Sequence, residues 1–202
     1  MAPTERVRLA CLDAGALGAF ELDAGDAPDL QRFFDDNPGY FLAVQGEPAG
    51  PAQALEEIQG LPPPDWPFTK RWLIGYADAE GRLAAFANVI SDLLAPGVWH
   101  IGLFIVATPL QGQGLGKALM DALEARARAG GARWLRLGVV ASNVAAERFW
   151  KSRGFVAVRQ RGGYIIGRRT NVVWTMVKPL AAGTLPEYLG MVERDRPDPP
   201  GA

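Results

Sequence analysis

Residues 101–119 read IGLFIVATPLQGQGLGKAL and pass from an apolar, strand-like stretch through a glycine-spaced turn into a helical pattern. A helix N-terminus carries about half a unit of positive charge and leaves its first N–H groups without intrahelical partners. The glycines at positions 112, 114 and 116 have no Cβ that would hold a ligand away from the backbone. The stretch therefore predicts a site where a phosphate group binds main-chain N–H groups.

The spacing of the glycines separates this turn from two other phosphate-binding loops. A P-loop requires Gly-x-x-x-x-Gly-Lys followed by Ser or Thr, but Gln111 stands at the first glycine and Ala118 at the hydroxyl. A dinucleotide-binding turn requires Gly-x-Gly-x-x-Gly and an acidic residue about 20 positions later. Here the glycines alternate, and the strand predicted at 133–140 contains no acid. The pattern therefore disfavours a P-loop nucleotidase and a dinucleotide-binding enzyme.

The remaining pattern, Gln111-x-x-Gly114-x-Gly116 after an apolar strand, resembles the acyl-CoA-binding motif of the GCN5-related N-acetyltransferase (GNAT) family. A second signature of that family is a strand, an Asn that opens a helix, and an aromatic residue shortly before Gly-Phe. Residues 137–155 match it with LGVVASNVAAERFWKSRGF. The two signatures together span roughly residues 100–155, in the family's order.

The resemblance implies an α/β (α+β) fold, with a mixed, mostly antiparallel central sheet of about 6–7 strands and helices on both faces. It also implies that acetyl-CoA is the co-substrate and that its acetyl group moves to a primary amine, on a small molecule or a protein, by direct attack in a ternary complex. No metal is implied. The alternative is a catalytically inactive acyl-CoA-binding sensor or structural module.

In this family the pantetheine arm of CoA runs along the strand before the loop, and the pyrophosphate lies on the loop itself. The matching Asn caps its helix and also hydrogen-bonds the cofactor arm. By the resemblance, the predicted cofactor-binding residues are Phe104, Ile105, Val106, Gln111, Gly112, Gln113, Gly114, Leu115, Gly116, Lys117 and Asn143.

His100 is the only histidine and, by the resemblance, lies where family members often carry a Glu that acts as general base. A lysine-like amine has a pKa near 10.4, so its neutral form costs about 4.6 kcal/mol at pH 7. A group with a pKa of about 6.5 can take that proton during attack. Strand alternation predicts that His100 shares a face with Gly102, Phe104 and Val106. The alternative for His100 is a half-buried histidine with a satisfied hydrogen bond.

The chain departs from the family pattern at two positions. Trp150 stands where many members carry a Tyr that protonates the leaving CoA thiolate, and an indole N–H cannot give up a proton near neutral pH. Tyr164 is the predicted substitute, with water as the alternative. Gly138 stands where bacterial relatives that act on protein N-termini carry a Glu, so the acceptor cannot be transferred from them.

Length and composition favour one domain. The chain has 202 residues, 49% of them hydrophobic, with a net charge of −1 and a single cysteine, Cys11. Nothing in this balance favours nucleic acid or a membrane as a partner, and a cytoplasmic location is the expectation. A homodimer is compatible with the sequence.

We predict one domain at 1–182, with its CoA-binding core at about 97–157, and a Pro- and charge-rich tail at 183–202. The tail is expected to be partly mobile, although residues 185–189 could dock on the domain.

Periodicity and turn residues predict the order of elements. Strands are predicted at 18–22, 71–76, 82–90, 98–107, 133–140, 155–159 and 172–178. Helices are predicted from 26 through 34, at 52–59, from 114 to the glycines at 130–131, and at 143–152.

Overall fold

Eight strands form one mixed sheet in the computed structural model, which describes residues 6–198 of the chain. Their order across the sheet is β1-β2-β3-β4-β5-β6-β8-β7, and β5 and β6 are the parallel pair among antiparallel neighbours. The strands are β1 Val7–Arg8, β2 Gly18–Glu21, β3 Lys70–Ala77, β4 Leu83–Ser91, β5 Val98–Val106, β6 Trp134–Val140, β7 Val156–Ile166 and β8 Arg169–Pro179. The predicted fold class is confirmed, with slightly more strands than expected.

Six α-helices accompany the sheet within residues 6–198. They are α1 Ala27–Asp36, α2 Gly39–Val44, α3 Gln53–Gln59, α4 Leu115–Ala129, α5 Val144–Ser152 and α6 Leu185–Met191. Pro28 lies in the first turn of α1, where a missing N–H costs nothing. In this part of the chain, none of the helices has the length and apolar character needed to cross a bilayer.

The two faces of the sheet are covered by different helices, as β4 shows. Ala85, Ala87 and Val89 pack in the cluster that contains Leu119 and Leu123 of α4. Phe86 points the other way and packs with residues of α1, α2 and α3. Because alternate residues of a strand face opposite sides, α4 covers one face, called here the α4 face, and α1–α3 cover the other, called here the α1–α3 face.

A bulge in β5 reverses the alternation of its side chains between the two faces of the sheet. Asn88 of β4 pairs with Leu103 and Val89 pairs with Ile101, so Gly102 is an extra residue in β5. Ile101 and Val106 consequently pack on the α4 face, whereas Leu103 and Ile105 pack on the α1–α3 face. The prediction that His100 shares a face with Phe104 and Val106 is therefore wrong.

The parallel strands β5 and β6 separate halfway along their length. They pair from Val98↔Trp134 to Ile101↔Leu137 and then diverge. Residues 103–106 of β5 remain paired to β4 on their other side, and residues 138–140 of β6 remain paired to β8. The space between these two segments is called here the β5–β6 gap.

The C-terminal segment packs on the domain further than its composition suggests. Tyr188 of α6 is 0% exposed, and Asp195, in a short 3₁₀ turn, is 1% exposed. Both belong to a region where α6 covers Val98 of β5 and Trp134 of β6. Residues 185–189, which the sequence analysis allowed to dock on the domain, lie in α6 and pack there. The end of the tail, residues 199–202, lies outside the described residues.

Two of the differences from the predicted elements have local reasons. The strand expected at 155–159 continues to Ile166, because Gly163 adopts a φ of +81° and a bulge between Arg161 and Tyr164 lets the ladder resume. Helix α2 was not predicted, since its six residues are too few for a helical period to be recognised.

Candidate active site

The glycine turn connects β5 to α4 at the open end of the β5–β6 gap. Gly112 and Gly114 have φ values of +74° and +84°, the left-handed region that residues with a Cβ rarely adopt. A Cβ built on either residue would meet nothing within 4 Å, so this side of the turn is open. The amide of Gln111 donates to the carbonyl of Val106 at 2.8 Å and holds the turn against the strand end.

The first turn of α4 offers main-chain donors. Gly114 is the N-cap and provides no side-chain cap, and the first intrahelical bond runs from Ala118 N to Gly114 O at 3.1 Å. The N–H groups of residues 115–117 therefore have no intrahelical acceptor. Lys117 is paired with Asp121 at 3.0 Å on the exposed side of the helix. This arrangement suits an anion, and each cofactor contact predicted here stays a prediction.

One edge of β5 faces the gap. Ala87, Phe86 and Ala85 of β4 pair with Phe104, Ile105 and Val106 along the opposite edge. Beyond Ile101, β6 no longer pairs with β5, so main-chain groups on this side are free to bind an extended ligand. The geometry fits a pantetheine arm, whose amide groups need strand-like partners.

Asn143 caps α5, as its sequence position predicts. Its Oδ1 accepts a hydrogen bond from Ala146 N at 3.1 Å. Its predicted second role, a hydrogen bond to the cofactor arm, would use the Nδ2 group of the same side chain and stays a prediction. Trp150, on the same helix, is buried among the rings of Phe104, Phe149 and Phe155. The residue at the family's acid position is thus a core side chain.

His100 lies beside Arg136 on the last paired stretch of β5 and β6. Nη1 of Arg136 is 3.3 Å from Nδ1 of His100. A guanidinium only donates, so Nδ1 is the acceptor and the ring proton is assigned to Nε2. Burial and the Arg136 cation lower the pKa of His100 to about 3. Its role as general base stays a prediction, and these contacts weaken the imidazole as a base.

Arg136 in turn is held by the C-terminal segment. It donates to both oxygens of Asp195, at 2.8 and 2.9 Å, and the hydroxyl of Tyr188 donates to Asp195 Oδ2 at 2.5 Å. Arg136 and Tyr188 hold the pKa of Asp195 below its usual range, against the opposing effect of burial. The carboxylate is therefore ionised and fully engaged near neutral pH.

The structure does not bring Tyr164 to the gap. It lies on β7, the edge strand, which is separated from β6 by β8. Two strand spacings amount to about 10 Å. The side chain is 41% exposed. Its role as the acid that protonates the thiolate stays a prediction.

Sequence analysis missed a polar cluster next to the bulge. Glu57 of α3, Arg71 of β3 and Asn88 of β4 are joined by hydrogen bonds on the α1–α3 face. The first and last members are 31 positions apart. The sequence contains no signal for this cluster beyond two adjacent glutamates on a short helix, because the contacts arise from strand order and packing.

Comparison with known proteins agrees with this geometry. The sequence model described as the acetyltransferase (GNAT) family matches residues 50–155. No match is found among curated protein sequences. Solved structures resemble the chain at low identity and show its fold.

Three of these structures cover most of both chains. The ribosomal-protein-S18-alanine N-acetyltransferase from Escherichia coli is 21% identical, covers 83% of this chain and 96% of its own, and has a TM-score of 0.60. An acetyltransferase from Thermus thermophilus is 23% identical, with coverages of 82% and 98% and a TM-score of 0.62. A spermidine N-acetyltransferase chimera from Vibrio cholerae and hSSAT is 20% identical, with coverages of 82% and 96% and a TM-score of 0.63.

The family match contains both the glycine turn and the Asn143 helix, and it ends at Phe155, the last residue of the second signature. The parted strands β5 and β6 lie within the same residues. The chain belongs to the acetyltransferase (GNAT) family.

Proposed function

We propose that the protein transfers the acetyl group of acetyl-CoA to a primary amine, by direct attack of the amine on the thioester in a ternary complex. The observation that carries this proposal is the β5–β6 gap, which ends at a glycine turn with free N–H groups. The open turn suits the pyrophosphate, and the unpaired edge of β5 suits the amide-containing arm. The reactive end of the arm then lies near Gly102, where the two strands part.

Catalysis in this proposal comes mainly from placement and polarisation. Binding both substrates in one complex makes the attack effectively unimolecular. A main-chain N–H group of β5 that faces the gap, at the Phe104 end nearest Gly102, can donate to the thioester oxygen as negative charge develops there. The CoA thiolate is a good leaving group because thiols have a pKa of about 8.5. The buried Trp150 therefore does not prevent turnover.

The next point is which amine accepts the acetyl group. One related structure is named for an alanine of ribosomal protein S18 and another for spermidine, so the names of proteins with this fold point to more than one kind of acceptor. The amine acceptor of this chain is proposed only as a class. A homodimer and a cytoplasmic location stay predictions from the sequence.

A thiol-release assay tests the proposal. Separate reactions contain the full chain, acetyl-CoA and one amine: spermidine, lysine or a peptide that begins with alanine. CoA binding to the full chain is measured by calorimetry in parallel. We expect CoA thiol and acetylated amine to form in equal amounts with at least one acceptor. CoA binding with no thiol above the blank for any amine would contradict the proposal and support the inactive acyl-CoA-binding module.

A further inference from the structure

Glu57 presents a largely buried carboxylate on the α1–α3 face of the sheet. Its side chain is 21% exposed. Oε1 accepts a hydrogen bond from Nδ2 of Asn88 at 2.6 Å and lies 3.5 Å from Nη2 of Arg71. No hydrogen-bond partner for Oε2 is found within residues 6–198, so this oxygen is available to a ligand.

The carboxylate lies next to the point where β5 leaves β6. Asn88, which is 8% exposed, pairs with Leu103, and its side chain lies beside Gly102. A Cβ on Gly102 would be 3.4 Å from Nδ2 of Asn88. Gly102 follows directly after Ile101, the last residue of β5 that pairs with β6. A single side-chain amide thus connects Glu57 to the mouth of the β5–β6 gap.

Arg71 fixes the end of α3 at this place. Its Nη1 donates to Ile58 O at 2.9 Å, its Nη2 donates to Glu57 O, and its Nε donates to Asn88 Oδ1 at 3.2 Å. These bonds join α3, β3 and β4 around one guanidinium. The position of Glu57 therefore depends on the sheet and does not rest on a free helix end.

Burial and two polar neighbours shift the pKa of the Glu57 carboxylate in opposite directions. Burial raises the pKa of Glu57, while the Asn88 hydrogen bond and the Arg71 cation oppose that rise. Glu57 in turn adds to the burial that raises the pKa of Tyr40, so that the phenol stays neutral. Among the described residues, the Arg71 guanidinium is the one charged group found to shift the pKa of Glu57, and Tyr40 is its neutral titratable neighbour. A carboxylate whose pKa is raised is a stronger base than an exposed one.

Helix α4 and Glu57 lie on opposite faces of the sheet. The turn leads into α4, which covers one face, and Glu57 extends from α3 on the other. An acceptor that approaches from the α1–α3 face would meet the thioester from the side opposite to α4. Glu57 is suited to this position in a way that His100 is not, because Nδ1 of His100 already accepts from Arg136.

We propose that Glu57 binds the acceptor ammonium and takes its proton, directly or through one water, and that Asn88 and Arg71 are positioning residues for it. This inference rests on the proposed acetyl transfer. One proton passes from the ammonium to the Glu57 carboxylate, and the nitrogen lone pair forms the C–N bond. The C–S bond breaks with its electron pair on sulfur, and the second nitrogen proton ends on that thiolate. The products are the amide and CoA thiol, and Glu57 returns its proton to water.

The test compares Glu57→Gln with Glu56→Gln in the full chain, using the amine that wild type acetylates best among spermidine, lysine and an N-terminal alanine peptide. Gln keeps the oxygen that accepts from Asn88, and Glu56 is an exposed neighbour on the same helix. We expect kcat/KM at pH 7 to fall on the order of 100-fold for Glu57→Gln, with CoA affinity unchanged, and to stay at the wild-type value for Glu56→Gln.

A pH profile separates the base role from a structural one. Wild-type kcat/KM should fall at low pH along an acid limb above the ordinary Glu value of 4.5. Asn88→Ala removes a hydrogen bond that favours the ionised form, so the limb should move to higher pH, and Glu57→Gln should lose it. A Glu57→Gln rate within threefold of wild type, or an unmoved limb in Asn88→Ala, would overturn the inference while leaving acetyl transfer intact. Wild type that releases no thiol with any amine would overturn the proposed function, and the base role with it.

Discussion

His100 accepts a hydrogen bond from Arg136, and that contact decides what the imidazole can do. A second proton would have to sit on Nδ1, 3.3 Å from a guanidinium nitrogen. Burial, the largest cause, and the nearby Arg136 cation together lower the pKa of His100 to about 3. At neutral pH the ring is therefore a neutral donor at Nε2, consistent with the alternative of a histidine with a satisfied hydrogen bond.

His100→Gln should make folding less sensitive to acid. The pKa of His100 is about 3 in the folded chain against an ordinary value of 6.5, so the unfolded state binds more protons between these values. The stability of wild type is thus complete above pH 6.5 and declines as pH falls toward 3. Between pH 7 and pH 5 we expect the wild-type free energy of unfolding to drop by about 1–2 kcal/mol more than that of His100→Gln, measured with urea. Equal drops would show that the imidazole titrates normally.

Single residues could be predicted where their role is local. Asn143 caps the helix that begins one residue later, so its capping role can be predicted from the neighbouring residues in the sequence. Glu57 could not be found in this way, because its hydrogen-bond partners Arg71 and Asn88 lie on strands that are distant from it in sequence. Burial and charge at a site are properties of the packed chain.

At the scale of elements, the bulge at Gly102 shows the limit of periodicity. The apolar run of β5 identifies a strand, and its alternation predicts which residues share a face. One extra residue reverses that assignment for everything beyond it. Here the reversal turns Phe104 and Val106 toward α4 and Leu103 toward Asn88. The sequence signal for the bulge is one glycine, which also occurs in ordinary strands.

The glycine turn gives a prediction at this scale. Gly114→Ala should cost about 1 kcal/mol of stability, because a Cβ disfavours the φ of +84° found there. It should also weaken CoA binding at least tenfold, since the substitution disturbs the N–H groups that begin α4. Gly190→Ala in α6 is the matched control, with open space and no positive φ. Calorimetry that finds CoA affinity in Gly114→Ala within twofold of wild type would remove the turn from the binding site.

Across the whole molecule, the C-terminal segment is part of the framework around the candidate site. Its proline- and charge-rich composition suggested a loose tail, yet one of its acids, Asp195, holds Arg136 beside the end of the β5–β6 pairing. Composition failed here because a few buried residues, Tyr188, Val192 and Asp195, anchor the whole segment. The glycine turn and the second signature, by contrast, predicted the family and the fold, since both are short and contiguous.

Asp195→Ala should destabilise the fold by about 3–5 kcal/mol, because it leaves Arg136 buried without its carboxylate. Asp198→Ala provides the comparison. Asp198 pairs with Arg159 at an exposed site, where an ion pair contributes about 1 kcal/mol or less. Urea unfolding at pH 7 measures both. Similar small losses for the two variants would mean that the C-terminal segment is only loosely held.

A crystal structure of the chain with CoA tests the central claim, that the β5–β6 gap is the acetyl-CoA site. We expect the pyrophosphate on the N–H groups of residues 112–117, the pantetheine arm between residues 102–106 and 138–140, and the thiol near Gly102 with Glu57 beyond it. A CoA molecule bound elsewhere, with no part of the arm between β5 and β6, would contradict this account.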